Sequence, residues 1–307
     1  MIAALVDAAE CPCPWTHGAA CGEFLEGFTA FGFQTRVVRS LAECVGCDIL
    51  LLSNHRIDWV FLDALAAACP NTLFILWAYH PHVARIPFKH WILTGEHYWR
   101  PPTLQTHLPS HRIAESLPNF VPLRLRVNEA PERVGTWARP AEPRHLACFM
   151  GTPYKCGWAE SVRDLGAVFY HSIYNGFLTN EQRRDVHLNS VFGLGFHSDE
   201  NVANNHVTQR VFEAMAYGCV VLTDNPAAEE MTGGIAVLVR SPAELKERME
   251  WFLARPDELA AKREAGYVWI RAFGTNRYAA GEFMRRAEEL WGWVGGSLGP
   301  CRSRRPL

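Results

Sequence analysis

An arginine and a glutamate one helical turn apart, Arg210 and Glu213, lie in the part of this sequence with the most concentrated polar chemistry. An asparagine-rich loop (Asn201, Asn204, Asn205) leads through His206 into a helical period that runs to Tyr217. At about 100° per residue from His206, Arg210 falls near 40°, Glu213 near −20° and Tyr217 near 20°, while Val207, Val211, Ala214 and Met215 spread from about 80° to 180°. One face is therefore polar and the other apolar, and Gly218 ends the helix before an apolar strand. Spacing alone describes an ordinary solvent-face ion pair of small energetic consequence. The loop changes that reading. Unsatisfied N–H groups at the helix start, together with a guanidinium, suit an anion. A carboxylate one turn further in has two acceptor oxygens, which suit a pair of vicinal hydroxyls.

A hydroxyl nucleophile needs a base, and imidazole titrates in the useful range. His17, in the loop after the first strand, and His80, after the strand ending at Trp77, both fall at carboxyl ends of strands, with Asp7 a third candidate. Trp15, Trp77, Tyr79, Tyr98 and Trp99 could form an apolar platform near them, although aromatics of this number commonly fill a core. Six of the 13 histidines (80, 82, 90, 97, 107, 111) crowd one stretch, yet only His107 and His111 stand at the i,i+4 spacing, and the Leu-Pro-Ser between them is not a regular helix. Cys11-Pro-Cys13 and Cys44-Val-Gly-Cys47 lack a zinc-ribbon context, and Cys69, Cys148 and Cys219 read as core thiols. No Asp-x-Asp triplet occurs. Neither a metal nor a cofactor is expected.

The elements that must position these residues alternate. Strands are expected at 2–6, 35–38, 48–52 and 72–77, with helices at 21–31, closed by Gly32, and at 57–68. Such alternation predicts a parallel sheet covered by helices. Five prolines and a charged stretch between Pro118 and Pro143 interrupt it. The pattern resumes with strands at 145–150, 167–171, 191–196 and 219–223, and helices at 158–165, from 180 and at 206–217. Ser241-Pro242-Ala243-Glu244 then opens a helical C-terminal part as an N-cap followed by proline and an acidic third residue. The expected organisation is a Rossmann-like domain over 1–128, a linker over 129–143, a second Rossmann-like domain over 144–275, a helix over 276–294 and a tail over 295–307. Two such α/β domains would face a cleft at the carboxyl ends of their sheets, where ligands of these folds bind.

Composition narrows the function classes. The 307 residues are 49% hydrophobic and 20% charged, with a formal net charge of −2 and no basic excess in either half. This argues against a nucleic-acid partner. No apolar run approaches a membrane span, so a cytoplasmic chain without integral membrane contact is expected.

The run Arg210-Val-Phe-Glu-Ala-Met-Ala-Tyr-Gly-Cys-Val-Val-Leu-Thr-Asp224, followed by Glu229-Glu230-Met231 and by Ser241-Pro-Ala-Glu-Leu, resembles the donor domain of GT-B glycosyltransferases. It is most similar to the group 1 glycosyltransferases related to the spore-maturation protein CgeB. The resemblance covers about residues 145–275. It implies Glu213 on the ribose of a nucleotide sugar and Arg210 near its diphosphate, with Asn205 and His206 in the loop before them. It also brings the loop Gly151-Thr152-Pro153-Tyr154-Lys155 toward the same diphosphate, so that Thr152 and Lys155 join the donor set. Retaining relatives carry a glutamate eight residues before the one matching Glu213. Here that residue is Asn205, so the stereochemical outcome stays open.

The resulting expectation is a metal-independent transferase that moves a sugar from a nucleotide donor to a hydroxyl on a glycan, a lipid-linked sugar or a small molecule. In an inverting enzyme His17 or His80 would serve as base. An inert nucleotide-sugar-binding module and a nucleotide-sugar epimerase are the alternatives.

Overall fold

The computed structural model describes residues 1–9, 25–53, 58–77, 87–94, 119, 121, 127, 129–151, 158, 161–170, 178–203 and 207–293. The chain divides into two compact units. The first comprises Met1–Glu96, Thr106–Leu123 and Asn276–Leu307, and the second His97–Gln105 and Arg124–Thr275.

In the first unit, β1 (Ile2–Val6), β2 (Gln34–Val38), β3 (Ile49–Ser53), β4 (Leu73–Trp77) and β5 (His90–Thr94) form a sheet in the order β2-β1-β3-β4-β5. All four pairings are parallel. Side chains alternate across it, so Ala4, Val6, Leu50, Leu52, Phe74 and Leu76 build one buried cluster with Phe61, Leu62 and Leu65. The last three come from α2 (Trp59–Ala68), which Asp58 caps by accepting the Val60 N–H at 2.8 Å. The short α1 (Leu41–Cys44) is capped by Ser40. The helix expected over 21–31 is described from Leu25 and tightens into a 3₁₀ turn, Gly27–Phe31, which left-handed Gly32 closes.

The second unit repeats the arrangement. Its strands are β6 (His145–Met150), β7 (Ala167–Tyr170), β8 (Ser190–Gly195), β9 (Val220–Thr223) and β10 (Val237–Leu238), ordered β7-β6-β8-β9-β10 and again all parallel. Numbered within its own unit, each sheet has the order 2-1-3-4-5. Around the second sheet stand α3 (Asn180–Leu188), α4 (Asp199–Ala203), α5 (Gln209–Ala216), α6 (Pro226–Met231), α7 (Pro242–Leu253) and α8 (Pro256–Phe273). Val211, Phe212, Met215 and Ile270 pack on one face, and Leu245, Met249 and Phe252 on the other. Both faces are therefore covered, as an all-parallel sheet requires. The Ser241 hydroxyl caps α7 as its sequence predicts, accepting the Glu244 N–H at 3.1 Å. The Glu244 carboxylate reaches back one residue further, to the Arg240 N–H at 2.8 Å.

Residues 129–143, read from the sequence as a linker, lie in the second unit. Arg139 anchors them there by donating to the carbonyls of His187 and Tyr217, at the carboxyl ends of α3 and α5, and of Ser190, at the start of β8. The last helix, α9 (Asn276–Trp291), follows the second unit in sequence but belongs to the first. Among the described residues no helix is long and apolar enough to cross a membrane.

Candidate functional site

In the second unit the strand order reverses between β6 and β8, and in open parallel sheets the carboxyl ends at such a switch point are where ligands bind. Arg210 lies there. Its Nη1 donates to the Phe196 carbonyl just past β8 at 2.7 Å, and its guanidinium carbon sits 4.8 Å above the Phe149 ring of β6. Gly151, the first residue after β6, has φ 136°, and a Cβ there would meet Arg210 Nη2 at 2.7 Å and Cζ at 2.9 Å. Only glycine lets the β6 backbone pass this closely beneath the arginine.

Glu213, one turn into α5, is buried. Arg183, from the first turns of α3, donates to its Oε1 at 2.7 Å, and Gln209 donates to the same oxygen at 2.9 Å. α3 begins in a reciprocal capping box, Thr179 with Gln182, which fixes where Arg183 leaves the helix. Burial pushes the Glu213 carboxyl up from the ordinary carboxylate range, while Arg183, Arg210 and the Gln209 hydrogen bond pull it down. The polar helix face thus points at a neighbouring helix and not at solvent. Tyr217 continues it, its hydroxyl donating to Glu129 at 3.2 Å.

Behind Arg210 a second buried pair holds the entry to α5. Asp224 Oδ1, after β9, accepts both the His197 backbone N–H and the ring Nδ1–H at 3.0 Å, and His197 Nε2 accepts the Thr208 N–H at 3.1 Å. This pattern of bonds defines the neutral Nδ1–H tautomer. Thr208 is the N-cap of α5, so the helix begins three residues later than its sequence period suggests. Its C-terminus is a Schellman motif on left-handed Gly218, with Cys219 N bonded to Ala214 O and Gly218 N to Met215 O.

Of the residues nominated from the sequence, the structure brings Arg210 and Glu213 to one helix at the switch point. Thr152, Lys155, Asn205, His206, His17 and His80 lie outside the described residues, as do Trp15, Tyr79, Tyr98 and Trp99. Asp7 directly follows β1 in the first unit. Sequence reasoning missed Arg183, His197 and the pairing role of Asp224. The Thr179–Gln182 capping signature marks the start of the helix that carries Arg183 but does not report the partner of that side chain. Among the described residues no group of three His, Cys, Asp or Glu is placed to hold a metal ion.

Comparison with known proteins bears on this site. Residues 136–285 match the model of a family described as glycosyl transferase-like. No curated protein matches the chain in sequence. Among solved structures, the chain is similar to an α-glucosyltransferase in complex with UDP and a 13-mer DNA containing an HMU base, with a TM-score of 0.58 at 10% identity over 94% of this chain and 99% of that one. It is similar to the DNA-modifying enzyme β-glucosyltransferase, solved with and without uridine diphosphoglucose, with a TM-score of 0.54 at 12% identity over 94% and 100%. AviGT4, a glycosyltransferase involved in avilamycin A biosynthesis, gives 0.52 at 12% identity over 94% and 98%. Residues 136–285 thus carry the likeness to the glycosyl transferase-like family, and the chain has the two Rossmann-like units of the GT-B fold seen in these glycosyltransferases.

Proposed function

We propose that the protein transfers a sugar from a nucleoside-diphosphate sugar to a hydroxyl acceptor, and that α5 holds the donor. The observation that carries this reading is a buried carboxylate, Glu213, beside the Arg210 guanidinium at the switch point of the unit that matches the family. In this reading the Glu213 carboxylate accepts the ribose hydroxyls and Arg210 faces the diphosphate. Thr152 and Lys155 approach from the loop after Gly151, with Asn205 and His206 ahead of α5. Departure of a nucleoside diphosphate develops negative charge, which fixed cations and N–H groups stabilise without a metal. If transfer inverts the anomeric centre, His17 or His80 takes the acceptor proton.

Uridine diphosphate sugars are the first donors to test, because the two glucosyltransferase neighbours were solved with UDP or uridine diphosphoglucose. For the acceptor, the net charge of −2 favours a glycan, lipid-linked sugar or small molecule. Two neighbours that carry DNA in their names make an oligonucleotide the necessary comparison in any acceptor screen.

The test is calorimetry with UDP, GDP, ADP and dTDP, paired with release of labelled sugar from UDP-glucose. Glu213→Gln keeps the side-chain shape, and a urea titration of the same variant reads whether Arg183, left without its counter-charge, has weakened the fold. Loss of a charged hydrogen bond to ribose should cost about 1.5–3 kcal/mol, roughly ten- to 150-fold in affinity. Unchanged affinity for every nucleotide that the unaltered protein binds would overturn the assignment of Glu213.

A further inference from the structure

We infer that Arg183 is the positioning residue of the donor site: from a different helix, it fixes the rotamer of Glu213 and supplies the counter-charge to its carboxylate. The inference builds on the reading of Glu213 as the ribose acceptor, and it assigns a task to a residue outside α5. Three observations support it. Arg183 and Gln209 both donate to one oxygen, Oε1, at 2.7 and 2.9 Å, which orients the carboxylate. The Arg183–Glu213 pair is largely withdrawn from water, at 21% and 11% side-chain exposure, where a charge without a counter-charge is costly. The α3 capping box and the His187 Nδ1–H, which donates to the Arg183 carbonyl at 2.9 Å, hold the backbone from which Arg183 extends.

Among the described residues, the charged and titratable groups around the carboxylate are few. Arg183 faces it from α3, and Arg210 is the second cation, from α5 itself. Tyr217, further along α5, turns its hydroxyl to Glu129, which has Arg184 at 3.9 Å. From α8, Arg263 donates to the Gly218 carbonyl at the opposite end of α5. From β9, the Asp224 side chain is bonded to His197. Burial already favours the protonated acid, so removing Arg183 should bring its titration toward neutrality.

The test uses the full chain in four forms: unaltered, Arg183→Met, Glu213→Gln and the double variant. Urea midpoints are followed from pH 5 to 9, and UDP binding is followed by calorimetry over the same range. A carboxyl whose folded titration is raised stabilises the fold below its unfolded value, and that contribution is lost as pH rises through the folded value. Arg183→Met should therefore lose stability with rising pH relative to the double variant. Its UDP affinity should fall at least tenfold at acid to neutral pH, with the midpoint of its pH dependence moved up by about one to three pH units. Arg183→Lys should restore part of both. A flat stability difference between Arg183→Met and the double variant, or a UDP pH profile unmoved by Arg183→Met, overturns the inference. The two readings fail separately: if Glu213→Gln leaves UDP binding intact, the ribose assignment falls, whereas the stability cycle judges Arg183 without any ligand.

Discussion

Arg210 is clamped from three sides. The Phe149 ring lies below it, the Phe196 carbonyl fixes Nη1, and Gly151 lies close against Nη2 and Cζ on a third side. Gly151→Ala therefore does two things at once. It forces a side chain into φ 136°, at a cost on the order of 1–3 kcal/mol, and it sets a methyl group within 2.7 Å of Nη2. The expected outcome is a loss of UDP affinity with little change for uridine, matching the selectivity of Arg210→Gln, because only the diphosphate presents the anion. Equal losses for UDP and uridine in both variants would place Arg210 away from the diphosphate. Arg210 and Glu213 were legible in the sequence because one helical period carries both. Arg183 was not, since its contact spans 30 residues between two helices and neither period reports which neighbour it meets. His197 and Asp224, 27 residues apart, escaped for the same reason.

At the scale of elements, periodicity and turn chemistry placed most strands and helices of both units to within a few residues. The short α1, α4 and α6 were not expected, and the helix expected over 158–165 ends in a 3₁₀ turn at Arg163–Leu165. β5 lies within the histidine-rich stretch, where only Trp91-Ile92-Leu93-Thr94 signals a strand, and β10 is two residues long. The start of α5 was misjudged because its N-cap is set by tertiary contact: Thr208 has no side-chain capping bond, and its N–H goes instead to His197 Nε2. That clasp ties the ends of β8 and β9 to the head of α5. Asp224→Ala leaves the two His197 donors without their acceptor, each costing about 1–3 kcal/mol in a buried setting. Asp224→Asn keeps an oxygen in the same position and should lose much less. The measurement is hydrogen exchange at the α5 amides, Gln209 to Met215. Faster exchange in Asp224→Ala with near-native exchange in Asp224→Asn is expected, and equal exchange in both would show that the clasp does not set the helix head.

At the scale of the whole molecule, the chain builds most of the first unit, goes on to the second and returns through α9. The sequence marked a helix after residue 275, but an amphipathic period names no partner, so its unit was not legible. The packing supplies that information. Phe283, Ala280 and Ala287 are fully buried. A Cβ on Gly281 would stand 3.2 Å from the Phe31 ring, and one on Gly27 would meet the Asn276 carbonyl at 2.4 Å, so the helix starts directly against the 27–31 turn. Trp291, at its far end, packs edge-on against His90 of β5 with ring centroids 5.9 Å apart. The first unit therefore completes its core only with residues translated after the second. Phe283→Ala removes a fully buried ring and should cost about 3–5 kcal/mol, confined to the first unit. Hydrogen exchange read by mass spectrometry localises the effect: peptides from β1, β3 and β4 should lose protection by roughly that free energy, while those from β6 and β8 keep theirs, because local stability follows the cooperative unit in which a contact is buried. Loss of protection in β6 and β8 with β1 and β3 unchanged would mean that α9 stabilises the second unit instead.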